Sequence, residues 1–148
     1  MRSCAIFGHR ETEYEGCAEE VKRALVELIE KYKVTQFYLG GRGRFDYLCA
    51  GVIKALKEDY PYIKNTLVLS YIPTKKEEFS LPDSYDDSIY LLEKRVPPRL
   101  AILKTNELTV LRSDYILSGV KHGWGGANTA VEYAKRKGKR VFEIFRKE

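Results

Sequence analysis

The segment Gly123-Trp124-Gly125-Gly126-Ala127-Asn128-Thr129-Ala130-Val131-Glu132 follows an apolar run and opens a helical pattern. Glycines at a strand-to-helix turn leave several backbone N–H groups and the positive end of a helix dipole open, which suits a phosphate. Thr129 adds a hydroxyl, and Glu132 stands three residues further along the same helix face. A carboxylate one turn into an anion-binding helix is costly unless it recognises a sugar hydroxyl or moves a proton. The ordinary alternative is an acid that the helix dipole favours. Trp124 either walls a flat ring or fills space under the loop, with His122 at the rim.

Two earlier strand ends also carry glycine. In Gly8-His9-Arg10-Glu11, Arg10 offers a planar fork to a phosphate oxygen. His9 donates, stacks, or is simply a satisfied strand-end histidine. In Gly40-Gly41-Arg42-Gly43-Arg44-Phe45-Asp46 the glycines permit close backbone approach. Asp46 accepts from a ribose hydroxyl or caps the helix that follows, and the arginines meet the ligand or stand in solvent. These three loops make a phosphorylated, nucleotide-type ligand the leading expectation, with Gly125, Gly126, Ala127, Asn128 and Thr129 at its strongest subsite. Glu132 is the one catalytic candidate; neither a metal nor a cofactor is expected.

The elements that must position these loops alternate in type. Ser3 to Gly8 reads as a short buried strand. From Glu15 to Lys33, apolar Val21, Leu25, Leu28, Ile29 and Tyr32 mark one face of an amphipathic helix. Gln36 to Leu39 is a second strand, about Phe45 to Asp59 a second helix, and Thr66 to Ile72 a third strand closed by Pro73. The stretch at about 74–98, with Pro82, Pro97 and Pro98 and no clear period, reads as a loop excursion over one edge. A helix from about Arg99 to Arg112 follows, started by the two prolines. Tyr115 to Val120 is the fourth strand, Asn128 to Lys137 the fourth helix and Val141 to Phe145 the fifth strand. Alternation of this kind predicts an α/β fold: one doubly wound, mainly parallel five-stranded sheet with helices on both faces. Ligands of such sheets sit beyond the C-terminal strand ends at the switch point, which is where all three glycine loops fall.

The chain has 148 residues, a size expected for one domain. Its net charge of +5 is concentrated in Lys135-Arg136-Lys137-Gly138-Lys139-Arg140, read as a solvated helix end with Gly138 past the last turn, against a nucleic-acid patch. No apolar run approaches the roughly 20 residues of a membrane span, and no signal peptide pattern opens the chain, so the cytoplasm is expected. Cys4, Cys17 and Cys49 form no C-x-x-C pair and are expected to be buried free thiols, with Cys4 in a strand and the other two on helices. Only His9 and His122 could complete a zinc site, and neither is near a cysteine in sequence.

These residues resemble the SLOG superfamily, named for the Smf/DprA and Lonely Guy (LOG) proteins, and its YpsA-like bacterial branch in particular. The resemblance is carried by Gly8-His9-Arg10, the strand-two glycine loop with Asp46, Pro97-Pro98-Arg99, Ser113-Asp114-Tyr115 and Trp124-Gly125-Gly126 before Glu132. It implies a Rossmann-like fold and a nucleotide or nucleotide-derived ligand, of NAD or ADP-ribose type or a nucleoside phosphate, held by a sensor or sequestering protein. LOG-type members imply an alternative, a phosphoribohydrolase that cleaves nucleoside 5'-monophosphates. The DprA branch implies another, single-stranded DNA binding. The LOG pattern P-G-G-x-G-T-x-x-E is matched by Gly125, Gly126, Thr129 and Glu132, while Trp124 replaces the proline and Asn128 the third glycine. The enzymes' Arg-Lys pair on the preceding helix falls here near Thr105-Asn106, leaving Lys104 as a substitute without the planar fork. Relatives of this kind also imply a homodimer.

Overall fold

A computed structural model describes residues 2–73 and 79–146. The central strand β1 (Arg2–Gly8) shows how the sheet is covered. Successive side chains of a strand point to opposite faces. Cys4 and Ile6 accordingly enter one core, with α1 (Ala18–Glu30) and α2 (Arg44–Leu56). Ala5 and Phe7 enter the other, with α3 (Pro98–Arg112) and α4 (Gly126–Arg136). Both faces being buried explains why β1 reads as a continuous apolar run rather than an alternating one. Helix α1 is anchored by Val21, Leu25, Leu28 and Ile29, all almost fully buried. Each such side chain contributes roughly 1.5–3 kcal/mol relative to exposure.

The remaining strands are β2 (Val34–Leu39), β3 (Lys64–Leu69), β4 (Asp87–Tyr90), β5 (Tyr115–Gly119) and β6 (Arg140–Glu143). Their order is β4-β3-β2-β1-β5-β6, and every pairing is parallel. The architecture is the expected Rossmann-like one, with a correction to the strand count: the sheet has six strands, not five. The additional strand, β4, lies inside the stretch read as a loop excursion. It is only four residues long and half-exposed, so no apolar run betrays it. Polar contacts hold it instead: the Thr66 hydroxyl donates to Asp87 Oδ1 at 2.6 Å, and Lys64 pairs with Asp87 at 2.6 Å. Residues 74–78 of that stretch lie outside the described residues.

Cys17 precedes α1 rather than lying on a helix, and all three cysteines are buried and free. Gly138 ends α4 with φ +73, and the Lys139 N–H closes on the Ala134 carbonyl at 3.0 Å. The basic segment is thus a capped helix end. Asp114 fixes the start of β5, its Oδ2 accepting the Ser3 N–H at 2.8 Å. Among the described residues no helix is long and apolar enough to cross a membrane.

Candidate ligand-binding cleft

The strand order reverses between β1 and β5, whose ends meet in register at Gly8 and Gly119. A cleft of about 550 Å³ opens there, at the C-terminal edge of the sheet. It gathers residues from four segments: the β1 loop from Gly8 to Thr12; Gly40, Arg42, Gly43 and Asp46 after β2; Ile102 and Asn106 of α3; and His122 with Trp124 to Ala127 after β5.

Helix α4 enters this cleft uncapped. Gly125 stands at φ +94, a conformation that disfavours a side chain, and offers none to the first turn. Thr129 turns back, its N–H and hydroxyl both donating to the Gly125 carbonyl, at 3.0 and 3.1 Å. A helix cannot satisfy its first amides internally. Those of Gly126, Ala127 and Asn128 have no bonding partner among the described residues, and the first turn carries no acid. Asn128 Oδ1 is also buried without a partner.

The α2 N-terminus is the opposite case. Its Arg44 N–H donates to the Arg10 carbonyl at 2.9 Å, and its Phe45 N–H to that of His9 at 3.5 Å. The Arg42 N–H donates to Asp46 Oδ2 at 3.3 Å. The β2 loop therefore has these main-chain donors committed to the protein itself, and the Asp46 carboxylate in the first turn of α2 fastens the loop that precedes it. Burial lifts the Asp46 pKa to about 6, opposed by the Arg42 N–H and the Arg42 charge.

What the β2 loop gives the cleft is the Arg42 side chain. Its guanidinium donates to Ser70 Oγ at 3.0 Å, Asn106 Oδ1 at 3.3 Å and the Gly40 carbonyl at 3.5 Å. All three acceptors are neutral, and Arg42 makes no salt bridge among the described residues. Burial pulls its pKa below the ordinary arginine value, with the Asp46 charge acting the other way. A fixed, partly desolvated cation whose contacts are neutral is suited to an anion.

His9 is structural and buried. Its Nε2 accepts the N–H of Lys121 at 2.8 Å and of His122 at 3.3 Å, clamping the β5 loop to the β1 loop. An acceptor Nε2 requires the neutral ring, and burial, with the charges of His122 and Lys121, lowers the His9 pKa to about 4. His122 lies face to face on His9 and on Trp124, with ring centroids 3.6 Å apart in both pairs. Trp124 ends this three-ring stack and is 66% exposed. Tyr14 ties the same loops from beneath, accepting the His9 N–H at 2.9 Å and donating to the Gly119 carbonyl at 2.6 Å.

Gly8 and Gly119 serve packing rather than ligand approach. A Cβ on either would fall 2.2 or 2.3 Å from the ring of Phe45, which lies buried across the two strand ends. Gly43 is likewise required by the β1 loop, since its Cβ would meet Arg10 Cα at 2.4 Å.

Of the residues singled out in the sequence, Gly8, His9, Arg10, Gly40, Arg42, Gly43, Asp46, Trp124, Gly125, Gly126 and Ala127 line the one cleft, with His122. Gly41 opens onto a neighbouring groove, while Asn128, Thr129 and Glu132 are not among the lining residues of the cleft. Glu132 is half-exposed and pairs with Lys135 at 3.7 Å. Lys104 does not reach the cleft either; it is exposed and pairs with Glu107 at 3.4 Å. Sequence reasoning missed Ser70 and Tyr14 and undervalued Asn106. Their roles are hydrogen bonds across 28, 105 and 64 residues of chain, which no local spacing announces.

No family model and no curated protein sequence matches this chain. Solved structures do. DNA processing protein A (DprA) from Streptococcus pneumoniae is similar with a TM-score of 0.67 at 15% identity, over 97% of this chain and 50% of that one. DprA from Helicobacter pylori, whose structure describes its single-stranded DNA binding mode, gives 0.61 at 15% identity, over 96% and 64%. The Moco carrier protein from Chlamydomonas reinhardtii gives 0.56 at 15% identity, over 98% and 77%. The chain thus spans half the length of the first DprA and under two thirds of the second. The likeness is one of fold, a Rossmann-like α/β fold with a parallel sheet.

Proposed function

We propose that this protein holds a phosphorylated, nucleotide-like small molecule in the cleft, as a sensor or sequestering protein of the YpsA-like branch. One observation carries the reading: the unbonded amides of Gly126 and Ala127 in the first turn of α4 and the Arg42 guanidinium, whose contacts are neutral, belong to the same cleft. Helix amides and a fixed guanidinium together bind a phosphate or pyrophosphate. Trp124 and exposed Arg10 stand at the rim for the remainder of the ligand. A cytoplasmic setting suits the three free, buried thiols.

Hydrolysis of a nucleoside monophosphate is the weaker reading, because Glu132 stands off the cleft and pairs with Lys135. DNA binding draws on the likeness to DprA and on the net charge of +5. Titration calorimetry with ADP-ribose, NAD and AMP separates the three. Binding without release of free base supports the proposal. Heat from none of the three defeats it. Affinity only for single-stranded oligonucleotides, falling steeply with salt, replaces it with the DNA reading.

A further inference from the structure

A second groove, of about 910 Å³, adjoins the cleft, and Arg10, Glu11, Arg42 and Gly43 border both. One side of it is the face of α2 that carries Tyr47 and Gly51, four residues apart, with Leu48 and Val52 beside them at the same spacing. Pro82 and Tyr85, from the segment that leads into β4, complete the lining. Tyr47 leaves a large ring 85% exposed there. Gly51 is exposed in the middle of the helix, where glycine weakens the element relative to any ordinary residue. A Cβ at Gly51 would meet nothing within 4 Å among the described residues, so no close approach within the chain calls for glycine. What the missing side chain provides is room beside the Tyr47 ring.

Charge sorts the occupants. Arg44 and Glu13 both line the groove and pair with each other at 2.8 Å. Away from that pair and the four shared residues, no residue lining the groove is charged, among the described residues. The cations open to a ligand, Arg10 and Arg42, thus stand at the junction with the cleft, and the groove beyond it suits an uncharged, apolar group rather than a second phosphate. A phosphate at Arg42 has Trp124 on the cleft side and Tyr47 on the groove side. We infer that the groove is a second subsite, which takes an aromatic group esterified to the phosphate held at Arg42. The inference rests on the phosphate reading above and narrows it, to a nucleotide whose phosphate carries a flat, uncharged substituent.

Two esters of AMP that carry the same charge, the methyl and the phenyl ester, test it by titration calorimetry. The phenyl ester is expected to bind the wild type about tenfold more tightly, the gain of stacking one ring. Gly51→Leu fills the room beside Tyr47 with a better helix former, so the helix persists, and is expected to bring the phenyl ester down to the affinity of the methyl ester. Tyr47→Ala is expected to remove most of the same advantage, and circular dichroism of both variants checks the fold. Binding of the methyl ester with no gain from the phenyl group overturns the inference and leaves the proposed function standing. A gain that survives both substitutions overturns it too, because the ring then lies outside the groove. If neither ester nor AMP binds, the phosphate reading fails and the inference fails with it.

Discussion

The imidazole of His9 lies parallel to that of His122 at 3.6 Å, while its Nε2 holds the backbone N–H of Lys121 at 2.8 Å. One side chain at the end of β1 therefore sets the path of the loop that leads into α4. His9→Ala leaves two backbone donors without their acceptor, which costs about 1–3 kcal/mol for a buried group. Urea denaturation is expected to show a loss of that size, together with weaker ligand binding as the α4 entry loosens.

The pH dependence of stability sets two buried groups against each other. His9 titrates at about 4 in the folded chain against its ordinary 6.5, so the unfolded chain takes up a proton that the folded one refuses. Its contribution is complete above pH 6.5 and is lost as the pH falls towards 4. Asp46 titrates at about 6 against its ordinary 3.8, so its contribution is complete below 3.8 and is lost as the pH rises through 6. The wild type is expected to show a flatter profile across this window than either variant. His9→Asn leaves stability falling with pH and Asp46→Asn leaves it rising. Unfolding midpoints measured at several pH values read the slopes.

Phe45 against Gly8 and Gly119 predicts non-additive energetics. Gly8→Ala or Gly119→Ala forces a methyl group into the ring, and overpacking of this kind costs about 1–3 kcal/mol. Combining either with Phe45→Leu is expected to recover part of the loss. A double-mutant cycle that sums without coupling would show that the ring is not the obstacle.

In the proposed function Arg42 holds the ligand's phosphate, so Arg42→Ala is expected to weaken phosphate-ligand binding by about 1.5–3 kcal/mol, the range for a hydrogen bond to a charged group. Arg42→Lys restores the charge without the fork and is expected to recover only part. Asn106→Ala, which frees the guanidinium without removing it, is expected to cost less. Calorimetry at constant salt ranks the three.

Trp124 is the single tryptophan of the chain. In the proposed function a planar ring of the ligand extends the His9–His122–Trp124 stack, so binding is expected to quench the tryptophan fluorescence, and Trp124→Ala is expected to lose about 1–3 kcal/mol of affinity. Glu132→Gln is expected to leave affinity unchanged, because its pair with Lys135 stands off the cleft. Loss of binding in Glu132→Gln alone would move the site.

Periodicity and punctuation in the sequence determined the alternating elements, the parallel sheet and the common edge on which the three glycine loops end. Those are local properties: an apolar face every three or four residues, a buried run, a glycine at a strand end. The tertiary structure alone decided which loop donors remain open. The Arg44 and Phe45 amides are consumed by carbonyls of the β1 loop, those of Gly126 to Asn128 are not, and both segments read alike as glycine before a helix. Strand β4 was hidden for the same reason, since edge pairing through Thr66, Lys64 and Asp87 needs no apolar run. Glu132 keeps the spacing of a catalytic acid yet faces Lys135, because rotation about the α4 axis is set by Ala130, Val131 and Ala134 packing into the core. Spacing names the residues on a face; packing against the rest of the chain decides where that face points.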